Sequence, residues 1–202
     1  MLPEAAEEAL ATTLTAQPAM SEAEISCYGS LLDRAYSVVE FGAGGSTLYA
    51  VTRGVPRIVS VESNPGWIER LRSNAEIATV EKEGRLTLIH ADVGLVTRYG
   101  APADTAMSDK WPGYPLAPWE SCSKPDLVLI DGRFRVACIA QAVLHRSTLI
   151  AVHDFWTRPD YHEALRVLEW ISSIGSLGVF RPRRWSSRKA ADLFRRYRFT
   201  PR

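Results

Sequence analysis

Val38-Val39-Glu40-Phe41-Gly42-Ala43-Gly44-Gly45-Ser46-Thr47 is the stretch on which the reading of the whole chain turns. Residues 36–41 form a short apolar, β-branched run, a glycine-rich turn interrupts it, and a helical segment is expected over about 46–53. Strand, tight turn and helix in that order make a nucleotide-binding βα unit. Gly42 and Gly44 permit a sharp turn and let the backbone approach a ligand with no Cβ in between. Ser46 and Thr47 stand where a hydroxyl either caps the helix amides or binds a carboxylate held there. Glu40 is harder to place, because a charge near the core of a parallel sheet is costly unless paired. A ligand amino group, the turn itself and a neighbouring arginine are all open as its partner.

Working outward, the alternation repeats: strand 57–61, helix 66–80, strand 86–90, a long connection over 98–125, strand 127–131, helix 134–145, strand 148–152 and helix 160–172. Helices between β-branched apolar strands predict an α/β fold with a mainly parallel sheet covered on both faces. Ser176–Arg181 and Ala191–Phe199 are read as a closing antiparallel hairpin. Upstream, helix signals cover 3–14 and Ser21 to Tyr36, with Ser21 and Glu24 spaced as a capping box. The expected organisation is one domain over 1–202, including a helical cap over 1–35 and a lid insertion over 98–125.

Ligands of open α/β sheets bind beyond the carboxyl ends of the strands. Glu62 ends the second strand, twenty residues past Gly42, where a carboxylate can accept from both hydroxyls of a ribose. Asp92 ends the third, placed to accept from the exocyclic amine of adenine. Surface charge is the plainer account of each, and their joint position on adjacent strand ends argues for the ligand. The third small residue of a dinucleotide fingerprint falls on Thr47, which weakens the nicotinamide alternative.

With Val59-Ser60-Val61-Glu62-Ser63, His90-Ala91-Asp92 and Asp126-Leu127-Val128-Leu129-Ile130-Asp131-Gly132 added to the opening segment, the chain resembles the class I S-adenosylmethionine-dependent methyltransferases. The resemblance covers about residues 25 to 199 and is nearest to small O-methyltransferase-type and poorly characterised bacterial members. It implies a Rossmann-like seven-stranded sheet in the order 3-2-1-4-5-7-6 with the last strand antiparallel. It also implies S-adenosyl-L-methionine as cofactor: its methionine end at the 42–47 turn, its ribose on Glu62 beside Ser63, and its adenine near Asp92. The activity implied is methyl transfer, with a hydroxyl of a small molecule or glycan as the expected acceptor and an amine less so. A cofactor-binding protein without turnover would carry the same residues.

Asp131 and the His153-Asp154 pair close the fourth and fifth strands, so they are expected to converge at the acceptor. A histidine can take the proton an acceptor hydroxyl sheds near neutral pH; a structural hydrogen bond and a metal contact are the other readings of His153. Metal-dependent members of the resembled family have an aspartate-asparagine pair where this chain has Asp154-Phe155, and a hydrocarbon ring supplies no oxygen ligand, so a divalent metal, open only through His153 or water, is not favoured. Arg133, Arg135 and Arg158 either anchor an anionic substrate or neutralise Asp131 and Asp154. In the long connection Trp111, Tyr114 and Trp119, with Tyr99, suit an aromatic-lined lid, or alternatively a packed flap or a subunit contact in a homodimer.

Composition sets the outer bounds. The 202 residues are 46 % hydrophobic and 23 % charged, with a formal charge of +1, which is ordinary for a globular domain. Cys27, Cys122 and Cys138 lack metal-ligand spacing. The acidic opening does not read as a secretory signal and no later run is apolar enough to span a membrane, so a cytoplasmic protein without membrane attachment is expected. Basic residues crowd residues 181–202, and Arg195-Arg196-Tyr197-Arg198 can be either the wet face of an edge hairpin or an RNA contact. Near-neutral overall charge favours the former, and the amine-methylating loop usual in related nucleic-acid enzymes is absent after the fourth strand.

Overall fold

The computed structural model describes residues 16–202; the helix expected over 3–14 lies outside them. Seven strands form one sheet: β1 (Ser37–Phe41), β2 (Arg57–Glu62), β3 (Leu86–His90), β4 (Leu127–Ile130), β5 (Leu149–Val152), β6 (Leu168–Ile174) and β7 (Leu177–Pro182). Their order is β3-β2-β1-β4-β5-β7-β6, as the resemblance implied. β1 to β5 run parallel, and β7 is antiparallel to both β5 and β6.

Strand periodicity divides the core between the two sheet faces. Val39, Phe41, Val59, Val61, Val128 and Ile130 join one apolar cluster, whereas Val38, Ile58, Leu127 and Leu129 join the other. Glu40 and Ser60 share the parity of the second set, so a carboxylate and a hydroxyl are carried into an otherwise apolar layer.

Seven α-helices accompany the sheet among the described residues: α1 (Glu22–Leu32), α2 (Gly45–Thr52), α3 (Pro65–Ser73), α4 (Ala75–Lys82), α5 (Gly113–Leu116), α6 (Arg135–Leu144) and α7 (Ser187–Tyr197). α1 begins with the expected capping box: the Glu24 amide donates to Ser21 Oγ at 3.4 Å, and the Ser21 amide donates to the Glu24 carboxylate at 2.8 Å. The single helix expected over 66–80 is broken at Asn74, whose Oδ1 caps the Glu76 and Ile77 amides and starts α4. None of these helices is long and apolar enough to cross a membrane.

The closing segment departs from the expectation. Helix 160–172 is instead a short 3-10 helix, Pro159–Arg166, followed by β6. The hairpin is β6–β7, turning at Gly175 with φ +56, and residues 187–197 form α7 rather than a strand. Ala190, Leu193, Phe194 and Tyr197 recur at helical spacing and pack into the cluster that holds α6. Of the basic residues of this region, Arg188, Lys189, Arg195 and Arg196 therefore lie on a helix. Several basic residues of 181–202 meet acids: Arg195 with Asp192, Arg196 with Glu163, Arg181 with Glu169 and Arg202 with Asp160.

From Trp111 to Trp119 the 98–125 segment is a packed flap, and of the four aromatic residues expected to line a lid only Tyr99 reaches the cavity above the glycine turn. Trp111, Tyr114 and Trp119 are buried, with Tyr114 between Phe41 and Phe134 and both indole N–H groups donating to main-chain carbonyls of Val93 and Pro115. Apolar rings with a satisfied polar tip are favourable core material, which is why burial wins over lining a cavity.

The ends of β1 and β4 meet backbone to backbone. Gly42 has φ +93, and a Cβ there would stand 2.7 Å from both N and Cα of Gly132. Gly42→Ala is expected to destabilise the fold by about 2–4 kcal/mol in urea unfolding, from strain and overpacking together. Gly54→Ala is the control, because φ there is +73 but nothing lies within 4 Å; it should cost only about 1–2 kcal/mol. Equal costs would show that conformation alone, and not the close approach, makes Gly42 necessary.

Candidate active site

Beneath the glycine turn, Glu40 is almost wholly buried and accepts from three hydroxyls: Ser46 Oγ, Thr47 Oγ1 at 2.5 Å and Ser60 Oγ at 2.7 Å. Thr47 Oγ1 also receives the Gly44 amide at 2.9 Å, so the strand, the turn and the first turn of α2 are laced through one carboxylate. The partner of Glu40 is thus the turn, in place of an arginine. Burial pushes its carboxyl up to about 7 against the pull of the Ser46, Ser60 and Thr47 hydroxyls, and the charge of Asp131 adds to the rise.

Above the turn lies a cavity of about 340 Å³, lined by Gly42–Ser46, Glu62, Asn64, Trp67, Arg98–Gly100, Asp131–Arg133 and Ala19. That size falls within the usual range for small-ligand pockets. Glu62 forms one wall. Its Oε1 accepts the Ser63 and Asn64 amides, each at 2.8 Å, and Oε2 takes neither bond. Burial raises the Glu62 carboxyl while the two amides and the Arg133 charge oppose the rise.

Asp131 forms the opposite wall. Its Oδ1 meets Arg135 Nη2 at 3.0 Å and His153 Nδ1 at 3.0 Å, and Oδ2 takes neither. Arg135 is buried and spans three carbonyls, donating to Gly132, His153 and Asp131 at 2.9, 2.6 and 2.8 Å. It ties the β4 end to the β5 end and does not line the cavity.

The remaining sequence candidates divide. Ser46 and Arg133 line the cavity, with Arg133 Nε donating to the Tyr99 carbonyl at 2.9 Å. Thr47 and Ser63 sit just behind its wall, Ser63 Oγ donating to the Gly100 carbonyl at 2.7 Å. Asp92 is exposed, pairs with Lys110 at 2.6 Å and does not line the cavity. Asp154 and Arg158 pair with each other at 3.2 Å away from the lining, and His153 stands behind Asp131 without reaching the cavity. The buried Trp111, Tyr114 and Trp119 are likewise not part of it. Among the described residues no group of three or more histidines, cysteines or carboxylates is arranged to hold a metal.

Some lining residues carry no motif. Trp67 donates its indole N–H to the Ala43 carbonyl at 2.6 Å and walls the turn from α3; Arg98, Tyr99 and Gly100 arrive from a tight turn bridged at Val96 and Pro102. An added Cβ at Gly100 would lie 2.7 Å from Ser63 Oγ, which shows how closely that turn approaches the end of β2.

No protein-family model matches this chain, and no curated protein matches it. Among solved structures, it is similar to a methyltransferase-like protein from Silicibacter pomeroyi at 24 % identity, covering 92 % of this chain and 98 % of that one, with a TM-score of 0.75. The fold is that of the class I methyltransferases. Cofactor-bound Rv0187 from MTB, at 21 % identity, and a provisionally assigned O-methyltransferase from Klebsiella pneumoniae, at 17 %, share it with TM-scores of 0.54. Both similarities cover 89 % of this chain and 86 % of the other. In that methyltransferase fold the cavity lies where ligands of open α/β sheets bind, beyond the carboxyl ends of β1, β2 and β4.

The buried Glu40 gives the site a pH signature. Its folded-state carboxyl titrates at about 7, against an ordinary 4.5, so the folded protein holds that proton more tightly than the unfolded chain. The stabilisation is complete below pH 4.5 and is lost as pH rises through 7. The melting temperature of the native protein should therefore fall relative to Glu40→Gln across this window, other groups cancelling in the comparison. A difference independent of pH would contradict the assignment.

Proposed function

We propose that this chain is an S-adenosylmethionine-dependent methyltransferase. The observation that carries the reading is the cavity itself: a glycine turn with Glu62 on one side and Asp131 on the other, each carboxylate pinned through one oxygen and leaving the second without those bonds. The MTB neighbour of the same fold is cofactor-bound, which supports a cofactor site in this chain as well.

The residues present fit the group. Gly42 to Ser46 form a cradle without bulky side chains for the methionine end, and Glu62 Oε2 is available to the two ribose hydroxyls. Asp92, held by Lys110, is not in a position to serve the base here, which leaves Tyr99, Gly100 and Asn64 as the cavity lining nearest Glu62. The cofactor supplies an electrophilic methyl group on a sulfonium.

The chain's own part is alignment and proton handling. Asp131 is the carboxylate on the acceptor wall, so it orients an acceptor hydroxyl through Oδ2 and draws off its proton. His153 and Arg135 act through Asp131, fixing Oδ1 and hence the direction of the other oxygen. A small-molecule hydroxyl suits a cavity of about 340 Å³ that must also admit the cofactor.

Calorimetry with S-adenosylhomocysteine and NAD should show binding of the former alone, and Glu62→Ala should weaken it by about 1–3 kcal/mol. NAD binding without S-adenosylhomocysteine binding would refute the reading. With an acceptor in hand, Asp131→Asn should lower turnover by about 10²–10⁴-fold while cofactor affinity stays within a few-fold. Parallel loss of both would move Asp131 from the acceptor to the cofactor.

A further inference from the structure

His153 stands between two carboxylates from distant parts of the chain. Nδ1 is 3.0 Å from Asp131 Oδ1, and on the other side Nε2 is 3.8 Å from Glu24 Oε2, which projects from α1. The histidine side chain is only 12 % exposed, so water does little to screen either contact.

Glu24 is itself locked. Oε2 accepts from the Ser21 amide and Oγ, both at 2.8 Å, which is the capping box. Oε1 accepts from the Ser176 amide and Oγ, both at 2.8 Å, and from the Leu177 amide at 3.1 Å. A capping box needs only the first pair; the second set reaches the β6–β7 turn, where a Cβ at Gly175 would lie 2.8 Å from Oε1. Burial alone would raise this carboxyl, but the Ser21 and Ser176 donors outweigh it and bring it down to about 2. Glu24 therefore presents a permanent, immobile negative charge to the outer nitrogen of His153.

We propose that Glu24 is a positioning residue of the acceptor site: through His153 it holds Asp131 in alignment and couples that alignment to the docking of α1 on the β6–β7 turn. The function of that alignment rests on the reading of Asp131 as the acceptor-facing group. Carboxylates on both sides of the ring favour the orientation in which Nδ1 meets Asp131, and that 3.0 Å hydrogen bond keeps Oδ1 engaged. Around His153, burial opposes the charged form, whereas the bond to Asp131 and the charges of Asp131, Asp154 and Glu24 favour it. Arg135, 3.0 Å from Asp131 and 3.9 Å from Asp154, is the cation that competes for those carboxylates. The balance lies above the ordinary histidine value.

The test is an NMR titration of the His153 imidazole in the full chain. The native protein should titrate above pH 6.5, the ordinary value, and Glu24→Gln should titrate lower. Ser176→Ala removes one donor to Glu24 but keeps its charge, so it should lower the melting temperature and leave the His153 midpoint near the native one. With an acceptor, Glu24→Gln should lower kcat by about tenfold, a barrier change of about 1.4 kcal/mol, and shift the pH profile while S-adenosylhomocysteine affinity holds. An unchanged midpoint in Glu24→Gln overturns the proposal. If that variant does not fold, a native midpoint at or below 6.5 overturns it instead and a higher one supports it. Failure of the native protein to bind S-adenosylhomocysteine would refute the cofactor reading separately, because the titration does not depend on it.

Discussion

The contact between Gly42 and Gly132 is the constraint on which the site depends. Two strand ends approach so closely that neither residue has room for a Cβ: one at Gly42 would meet Gly132, and one at Gly132 would meet the Tyr114 hydroxyl at 2.1 Å and the Gly42 amide at 2.7 Å. Because β1 and β4 are pinched together there, the glycine turn and Asp131 become walls of one cavity. The buried flap of Trp111, Tyr114 and Trp119 backs this contact from the other side, so its aromatic residues support the site without lining it.

The carboxylates near this junction are kept by different means. Glu40 is surrounded by hydroxyl donors, Glu24 by hydroxyls and amides, Glu62 by amides, and Asp131 by an arginine and a histidine. Neutral donors hold a carboxylate in place without cancelling its charge, and those at Glu40 do not outweigh burial whereas those at Glu24 do. The result is a glycine turn braced by a group that titrates near neutrality and an imidazole braced by one that does not. The closest basic partners are at Asp131, where Arg135 and His153 each stand 3.0 Å from Oδ1.

Much of this was legible in the sequence because local pattern and global fold agree over residues 36–62. A β-branched run, a glycine turn and an acid at the next strand end report backbone conformation and polarity directly. The closing region was less legible: Leu168-Glu169-Trp170-Ile171 suits a helix or a strand, and its pairing with β7 decides the matter through contacts that are not local. For 187–197 a signal existed in the spacing of Ala190, Leu193, Phe194 and Tyr197, but the aromatic and β-like composition of its end masked it. Asp92 had the right position along the chain and the wrong surroundings, since Lys110 enters from eighteen residues away. Glu24 read as a helix cap, which it is; its reach to Ser176 and His153 is visible only in three dimensions.

The central claim is that the cavity over the glycine turn holds the methyl donor, with Glu62 and Asp131 on opposite sides of it. A crystal structure of the protein with S-adenosylhomocysteine tests this most directly. The account predicts ribose hydroxyls on Glu62 Oε2, the amino-acid end against residues 42–47, and the sulfur on the side facing Asp131. Ligand bound outside this cavity, or within it with Glu62 Oε2 left unpaired, would contradict the account.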